Sequence, residues 1–383
     1  MKFLHISDLH LGKRINEFSM IEDQKYMLNQ ILTTADRVSA EAVLIAGDIY
    51  DKPVPSAEAV QLFDGFLTGL ADRGVTVLAV SGNHDSPERI AFGARLMQGR
   101  GVYMSPVYNG EAEEITLRDE YGEIHVFLLP FVKPAVVRHV LEREGAAEAT
   151  ESYQEAVETA VNRMAANPEK RNVLVAHQFV TGAGRCDSEE VAVGGLDNVD
   201  AEVFERFDYV ALGHIHSPQS VGRETVRYCG TPLKYSFSEA EQEKSVTVLE
   251  MGEKGKIMLS TEPLLPLRDM RKIRGTYAEV MSKTFYRETD TEDYLQITLT
   301  DEEDIPDGLQ RLRTVYPNLM RLVYDNSRTR QDRMVEAAEE GERKSELELF
   351  GEFYELQNNQ PMSGEQAEFI SGLIERLKSE SLG

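Results

Sequence analysis

The sequence predicts an α/β fold. Two observations lead there: five short apolar runs of the kind that form buried strands alternate with helical patterns, and each run ends in a side chain able to bind metal or move a proton. The runs are 3–6, 43–46, 75–80, 173–176 and 209–212, each β-branched or otherwise apolar. After them come Asp8-Leu9-His10, Gly47-Asp48, Gly82-Asn83-His84-Asp85, His177 and Gly213-His214-Ile215-His216. Helical patterns near 24–39, 56–71 and 87–98 fall between strands, and further strand-rich segments cover 122–130 and 225–250. Where buried strands share a sheet, their carboxyl ends gather at one edge, which is where open α/β sheets place ligands. Residues more than 200 positions apart can therefore converge.

Asp8 with His10, and His214 with His216, stand at i and i+2. On an extended backbone that spacing points both side chains to the same side. Of eight histidines, five (His10, His84, His177, His214 and His216) fall in these motifs, a clustering not expected of structural histidines. With Asp8, Asp48 and Asn83 they make a mixed oxygen and imidazole set without thiolate, which suits Mn²⁺, Fe or Zn²⁺ and is too rich in nitrogen for Ca²⁺. Seven ligands (Asp8, His10, Asp48, Asn83, His177, His214 and His216) are too many for one ion, so a two-metal site with a bridging carboxylate is expected. Asp48 is the candidate bridge, because it stands alone after its strand and Gly47 before it permits close backbone approach. A single motif of this kind usually marks a hydrogen-bonded structural residue. Asp85 reads equally as a partner of the ligands or turn residue and as a catalytic group, and it stays outside the ligand set. His5, His125 and His139 match no motif and read as structural or surface residues. The polar stretch 181–190 and Gly194-Gly195 read as a long loop beside the site, with substrate contact as an alternative.

Net charge is −25, from 41 basic and 66 acidic residues, which argues against DNA binding through the overall field. Residues 330–383 hold 13 acidic and 6 basic residues, so part of that imbalance lies remote from the motifs. Weak, salt-dependent DNA binding by the chain alone is expected. Cys186 and Cys229 make no metal-spacing motif and fit a reducing compartment without a disulfide. Met1-Lys2-Phe3 runs straight into the first strand, and no apolar run of about 18 residues occurs, so a soluble, cytoplasmic protein without membrane attachment is expected.

At 383 residues the chain should hold two or three domains. Residues 1–262 carry all the ligand motifs. Two prolines in Glu262-Pro263-Leu264-Leu265-Pro266-Leu267 mark a linker. A smaller unit, 268–330, alternates strand 271–277, helix 278–285, strand 294–300, helix 306–316 and strand 319–324. Residues 331–344 read as a charged linker, and 345–383 as two amphipathic helices. Leu347, Phe350, Phe353, Tyr354 and Leu356 give the first an apolar face that it cannot bury alone. Docking on its own domain is the simpler alternative to docking on a partner.

The order DxH, GD, GNHD, H, GHxH resembles the calcineurin-like metallophosphoesterase superfamily. Ser7-Asp8-Leu9-His10-Leu11-Gly12, Ala46-Gly47-Asp48-Ile49-Tyr50-Asp51, Ala211-Leu212-Gly213-His214-Ile215-His216 and Arg227-Tyr228-Cys229-Gly230-Thr231-Pro232 narrow the resemblance to the SbcD family of nuclease subunits, over roughly residues 1–240. The resemblance implies a two-sheet β-sandwich flanked by helices, a small α/β capping domain and a C-terminal helical tail. It implies one metal on Asp8, His10, Asp48 and His216, another on Asp48, Asn83, His177 and His214, and Mn²⁺ as the usual ion. His84 would be the catalytic histidine beside the scissile phosphate, stabilising the transition state or protonating the leaving oxygen. Asp51 departs from relatives that carry histidine there; it could orient His84 or be a turn residue. The implied partners are DNA, the ATPase SbcC docked on the tail, and a second copy through the helices after Asp51 and Asp85. The stripe Val60, Phe63, Leu67 and Leu70 is by itself more often core than interface. No Gly-rich phosphate loop of the Walker type appears, so ATP hydrolysis would belong to the partner. The implied activity is 3′–5′ double-strand exonuclease and single-strand or hairpin endonuclease. A small-molecule phosphodiesterase or phosphatase with the same metal centre, and a non-catalytic scaffold, are the alternatives.

Overall fold

The computed structural model describes residues 1–145, 150–189 and 198–327, with single positions at 329, 362, 366 and 370. The expected linker 331–344 and, apart from three single positions, the segment 345–383 lie outside the described residues.

Two six-stranded sheets face each other. The first runs in the order Ile257–Pro263, Ser245–Met251, Lys2–Ile6, Ala42–Ala46, Thr76–Val80, Val102–Met104. Its last four strands are parallel. The second runs Gln219–Val221, Arg223–Tyr228, Tyr209–Gly213, Arg171–His177, Gly122–Leu129, Glu113–Asp119, with its four central strands parallel. Side-chain alternation along buried strands assigns each layer. Phe3, Leu44, Ala46, Leu78 and Val80 meet Val126, Leu128, Val173, Val175 and Ala211 between the sheets. Leu4, Ile6, Val43 and Ile45 face the opposite way, onto Met27, Leu28, Ile31, Phe63, Phe66 and Leu70 of the helices Ile21–Val38 and Ala57–Asp72. Phe127, Leu129, Leu174, Ala176, Val210 and Leu212 likewise pack on the helices Pro134–Arg143 and Tyr153–Asn162. The result is a helix, sheet, sheet, helix sandwich. His5 is buried at its centre, with Nδ1 2.9 Å from Tyr209 Oη and Nε2 3.1 Å from the Leu212 carbonyl. Burial drives its pKa down to about 3, so a neutral imidazole pins the two sheets together.

Three sequence expectations change. The ligand-bearing strands do not share one sheet: those before Asp8, Asp48 and Asn83 belong to the first, and those before or containing His177 and His214 to the second. The helix expected over 87–98 is broken into Pro87–Ile90 and Ala94–Met97, because Gly93 between them adopts φ 75°. The helical stripe splits as well: Phe63 and Leu70 are buried, whereas Val60 is exposed.

Residues after Leu267 build a three-stranded parallel sheet, Met270–Gly275, Tyr294–Leu299 and Leu319–Tyr324. Its own core contains Ile273, Val280, Leu295, Ile297, Leu312 and Tyr316. This unit is tied to the N-terminal turn of the helix Ile21–Val38. Asp23, fully buried, accepts from Arg268 Nη2 and from Tyr294 Oη, both at 2.8 Å.

Candidate metal centre

Beyond the strand ends, the loops carrying Asp8-His10 and Asp48 run side by side. Asp8 N donates to the Gly47 carbonyl at 3.0 Å, and His10 N to the Asp48 carbonyl at 2.9 Å. The two loops leave the extended conformation there. Asp8, His10 and Asp48 have φ of 52°, 44° and 48°, and His214 has φ 107°. The i, i+2 pairs are thus aimed by left-handed turns, not by a pleated strand as the spacing suggested. Four non-glycine residues in that region carry strain that surrounding contacts must hold.

Glycines set how closely the loops approach. A Cβ on Gly82 would lie 2.0 Å from Asp48 Oδ1, one on Gly47 2.4 Å from His177 Nδ1, and one on Gly213 1.8 Å from the Ala46 carbonyl oxygen. The expected role of Gly47 is therefore shared by Gly82 and Gly213.

All seven expected ligands come together. His10 Nε2 lies 3.2 Å from His216 Nε2, and these two share one cluster with Asp8. Asn83 Oδ1 lies 2.9 Å from His177 Nε2 and 3.0 Å from His214 Nδ1. Asp48 Oδ2 sits between the clusters, 3.7 Å from His10 Nε2 and 3.4 Å from His177 Nε2. Donor atoms of Asp8, His10 and His216, of His10, Asp48 and His84, and of Asp8, Asp48 and His177 each fall within 4.8 Å of one another.

The donor set fits divalent cations. Two imidazole Nε2 atoms at 3.2 Å can share at most one proton, and buried His10 Nδ1 has no hydrogen-bond partner among the described residues. Burial holds His10 and His216 well below the usual histidine range, leaving them neutral, the form that ligates. Burial pushes Asp8 up to about 8. Burial would raise Asp48 too, but the His177 imidazole against it, at 3.4 Å, pulls it below the carboxylate range. Buried carboxylates so dependent on nearby positive charge are what a bound cation would satisfy.

His84 lies at the mouth. Its Nδ1 is 3.2 Å from the Asp51 backbone carbonyl, its Nε2 3.9 Å from Asp48 Oδ2, and its ring meets that of His10 edge-on at 4.8 Å. Its backbone N–H donates to Asp48 Oδ1 at 2.9 Å. Asp51 thus meets His84 through its main chain. Its carboxylate instead takes Lys13 Nζ at 2.7 Å and lies 3.7 Å from His10 Nδ1. Asp85 accepts from the backbone N–H groups of Ile49, Tyr50 and Gly82, stapling the Asp48 loop to the Asn83 loop. His125 and His139 lie away from the centre, His125 against Glu114 at 2.6 Å. Both cysteines are free.

Several contributors were missed in the sequence. Gln24 Nε2 donates to the His10 carbonyl at 2.8 Å, and Glu189 Oε1 accepts from His216 N at 2.7 Å. Ser7 Oγ donates to Asp8 Oδ2. Ser7 directly precedes Asp8 in its motif and was readable there. Gln24 and Glu189 are ordinary polar residues in a helix and a loop, and only the tertiary contacts reveal them.

Comparisons with known proteins show the family. The family model for the calcineurin-like phosphoesterases matches residues 1–218, and that for the "Type 5 capsule protein repressor C-terminal domain" of SbcD matches residues 266–358. The chain is 30% identical over 381 residues to the D subunit of nuclease SbcCD from Staphylococcus epidermidis, covering 98% of each chain. Among solved structures, a dimetal phosphatase from Danio rerio is similar at TM-score 0.43 and 12% identity, over 69% of this chain and 96% of that one. The calcineurin-like phosphoesterase YfkN from Bacillus subtilis is similar at TM-score 0.34 and 15% identity, over 69% and 90%. Among the described residues no helix is long and apolar enough to cross a membrane. This chain belongs to the calcineurin-like phosphoesterases and, within them, is a metal-dependent nuclease of the SbcD family.

Proposed function

We propose that the chain is the nuclease subunit of a cytoplasmic SbcCD-type complex, cleaving DNA phosphodiesters with two Mn²⁺ ions. One ion would rest on Asp8, His10, Asp48 and His216, the other on Asp48, Asn83, His177 and His214. The observation that carries the reading is the position of Asp48 Oδ2, between His10 Nε2 at 3.7 Å and His177 Nε2 at 3.4 Å, where one carboxylate can serve both clusters.

When bound, two such cations supply a water of lowered pKa as nucleophile and neutralise charge on the non-bridging phosphate oxygens. The protein's own groups do the rest. Asp85 and the backbone N–H of His84 hold Asp48 in place between the clusters. A carbonyl can only accept, so the Asp51 oxygen keeps a proton on His84 Nδ1 and leaves Nε2 directed into the site. From there His84, when it carries a second proton on Nε2, would stabilise charge on the leaving oxygen or donate that proton. Phe131, stacked on His214 with centroids 6.5 Å apart, and Phe179, edge-on at 6.2 Å, flank the His214 ring.

The same reading assigns 3′–5′ double-strand exonuclease and single-strand or hairpin endonuclease activity, made ATP-dependent by the partner SbcC. Residues 268–330 would cap the DNA over the site, residues 345–383 would dock on SbcC, and two copies would pair through the helices after Asp51 and Asp85. The test compares a hairpin oligonucleotide, a linear duplex and a p-nitrophenyl phosphodiester with Mn²⁺, with and without SbcC and ATP. DNA cleavage abolished by chelator and stimulated by SbcC with ATP is expected. A strong preference for the small ester would favour a small-molecule phosphodiesterase. Deleting residues 345–383 should abolish association with SbcC and spare metal-dependent cleavage; retained association would refute the docking assignment.

A further inference from the structure

His216 is gripped from behind by residues that belong to none of the sequence motifs. Its Nδ1 lies 2.6 Å from Ser188 Oγ, and the same oxygen lies 2.6 Å from Glu239 Oε1. Glu239, fully buried, takes Lys244 Nζ on its other oxygen at 2.6 Å. Lys244, itself 5% exposed, also donates to the His216 carbonyl at 2.9 Å and to Thr231 Oγ1 at 2.8 Å. The ring and the backbone of one histidine are thus held by one buried ion pair. Such pairs seldom add net stability over an apolar replacement, so a positional role is the better account of this one.

The directions of the protons follow from the donor inventory. A carboxylate paired with an ammonium can only accept, so the Ser188 hydroxyl spends its single proton on Glu239. Its oxygen is then left to accept, and the proton between Ser188 and His216 must sit on His216 Nδ1. The Nε2 lone pair is thereby kept open toward His10 and Asp8.

We propose that Ser188 is a positioning residue that locks His216 as its Nδ1–H tautomer, with Glu239 and Lys244 fixing the direction of the serine hydroxyl. The arrangement is the carboxylate–histidine support common behind metal ligands, with a serine interposed. It also gives the loop carrying Ser188 a purpose, since the seated loop presents His216 for ligation. The inference rests on His216 being a ligand, as proposed above.

The test uses the full chain with ¹⁵N-labelled histidine. In the metal-free wild type, long-range ¹⁵N–¹H spectra should show His216 protonated at Nδ1. Ser188→Ala should give a mixture of tautomers, and Ser188→Thr should restore the wild-type form. Glu239→Gln should invert it: the carboxamide N–H₂ would donate to the serine oxygen, whose proton would then turn to Nδ1. By calorimetric titration with Mn²⁺, Ser188→Ala should weaken one of two sites by about 10- to 100-fold and leave the other unchanged. Unaltered tautomer and affinity in Ser188→Ala, where His216→Ala abolishes one site, would overturn this inference alone. Two intact sites in His216→Ala would instead overturn the ligand assignment, and this inference with it.

Discussion

Replacing His84 with alanine separates chemistry from architecture, and the structure says by how much. The ring is 14% exposed and its Nδ1 hydrogen bond goes to one backbone carbonyl, so its loss should cost about 1 kcal/mol of stability. The contact that holds Asp48, the proposed bridge, from His84 N to Asp48 Oδ1 at 2.9 Å, comes from the backbone and survives the substitution. Mn²⁺ affinity should therefore stay within a few-fold of wild type. Removing a positioned proton donor typically lowers the chemical rate roughly 10²- to 10⁴-fold, or about 3–5 kcal/mol at 1.36 kcal/mol per tenfold. The assay is single-turnover cleavage of duplex DNA at saturating Mn²⁺, beside hydrolysis of bis-p-nitrophenyl phosphate. The nitrophenolate leaves without a proton, so a general acid predicts a large loss on DNA and a small one on the activated ester. Electrostatic stabilisation predicts similar losses on both. Undiminished DNA cleavage would remove His84 from the mechanism.

Other substitutions probe the scaffold. Gly82→Ala places a methyl group 2.0 Å from Asp48 Oδ1, so metal titration should show loss of both sites, since Asp48 is proposed to serve each. Arg268→Ala leaves fully buried Asp23 with Tyr294 Oη as a remaining donor; urea unfolding should show a loss of roughly 2 kcal/mol, below the 3–5 kcal/mol of a fully buried pair because the Arg268 side chain is 23% exposed. The bidentate Arg171 guanidinium holds the Asp119 carboxyl below the carboxylate range. A folded pKa below the unfolded one means that this stability is present above about pH 4 and is lost as pH falls through the folded value. Asp119→Asn should thus destabilise by about 3 kcal/mol at pH 7. The gap from wild type should begin to narrow below about pH 4, as followed by thermal melts from pH 7 to pH 3.

Much of the site is legible in the sequence because the chemistry is local there. A ligand-type side chain directly after a buried β-branched run can only stand at a strand end, and five such runs leave few ways to place Asp8, Asp48, Asn83, His177 and His214 apart. Strand and helix order was equally readable, since the short runs and the helical patterns differ in period. What a local reading misjudged was direction. The i, i+2 spacing of Asp8 and His10 suggested a pleat, yet both residues sit at positive φ, because the neighbouring loop captures their backbone N–H groups. Gly93 ends a helix that periodicity alone would continue.

The sequence by itself determined which side chains gather as candidate ligands, and that burial would carry them inward: apolar runs of that length are stable only inside a core, and the residues just after them emerge at its rim. Only the tertiary structure decided how the ligand-bearing strands divide between the two sheets. It alone decided that Asp51 meets His84 through a carbonyl, and that Ser188, Glu239 and Lys244 stand behind His216. Those are contacts between segments tens to hundreds of residues apart, set by how two twisted sheets stack and by the clearance three glycines leave, and no local pattern encodes such distances.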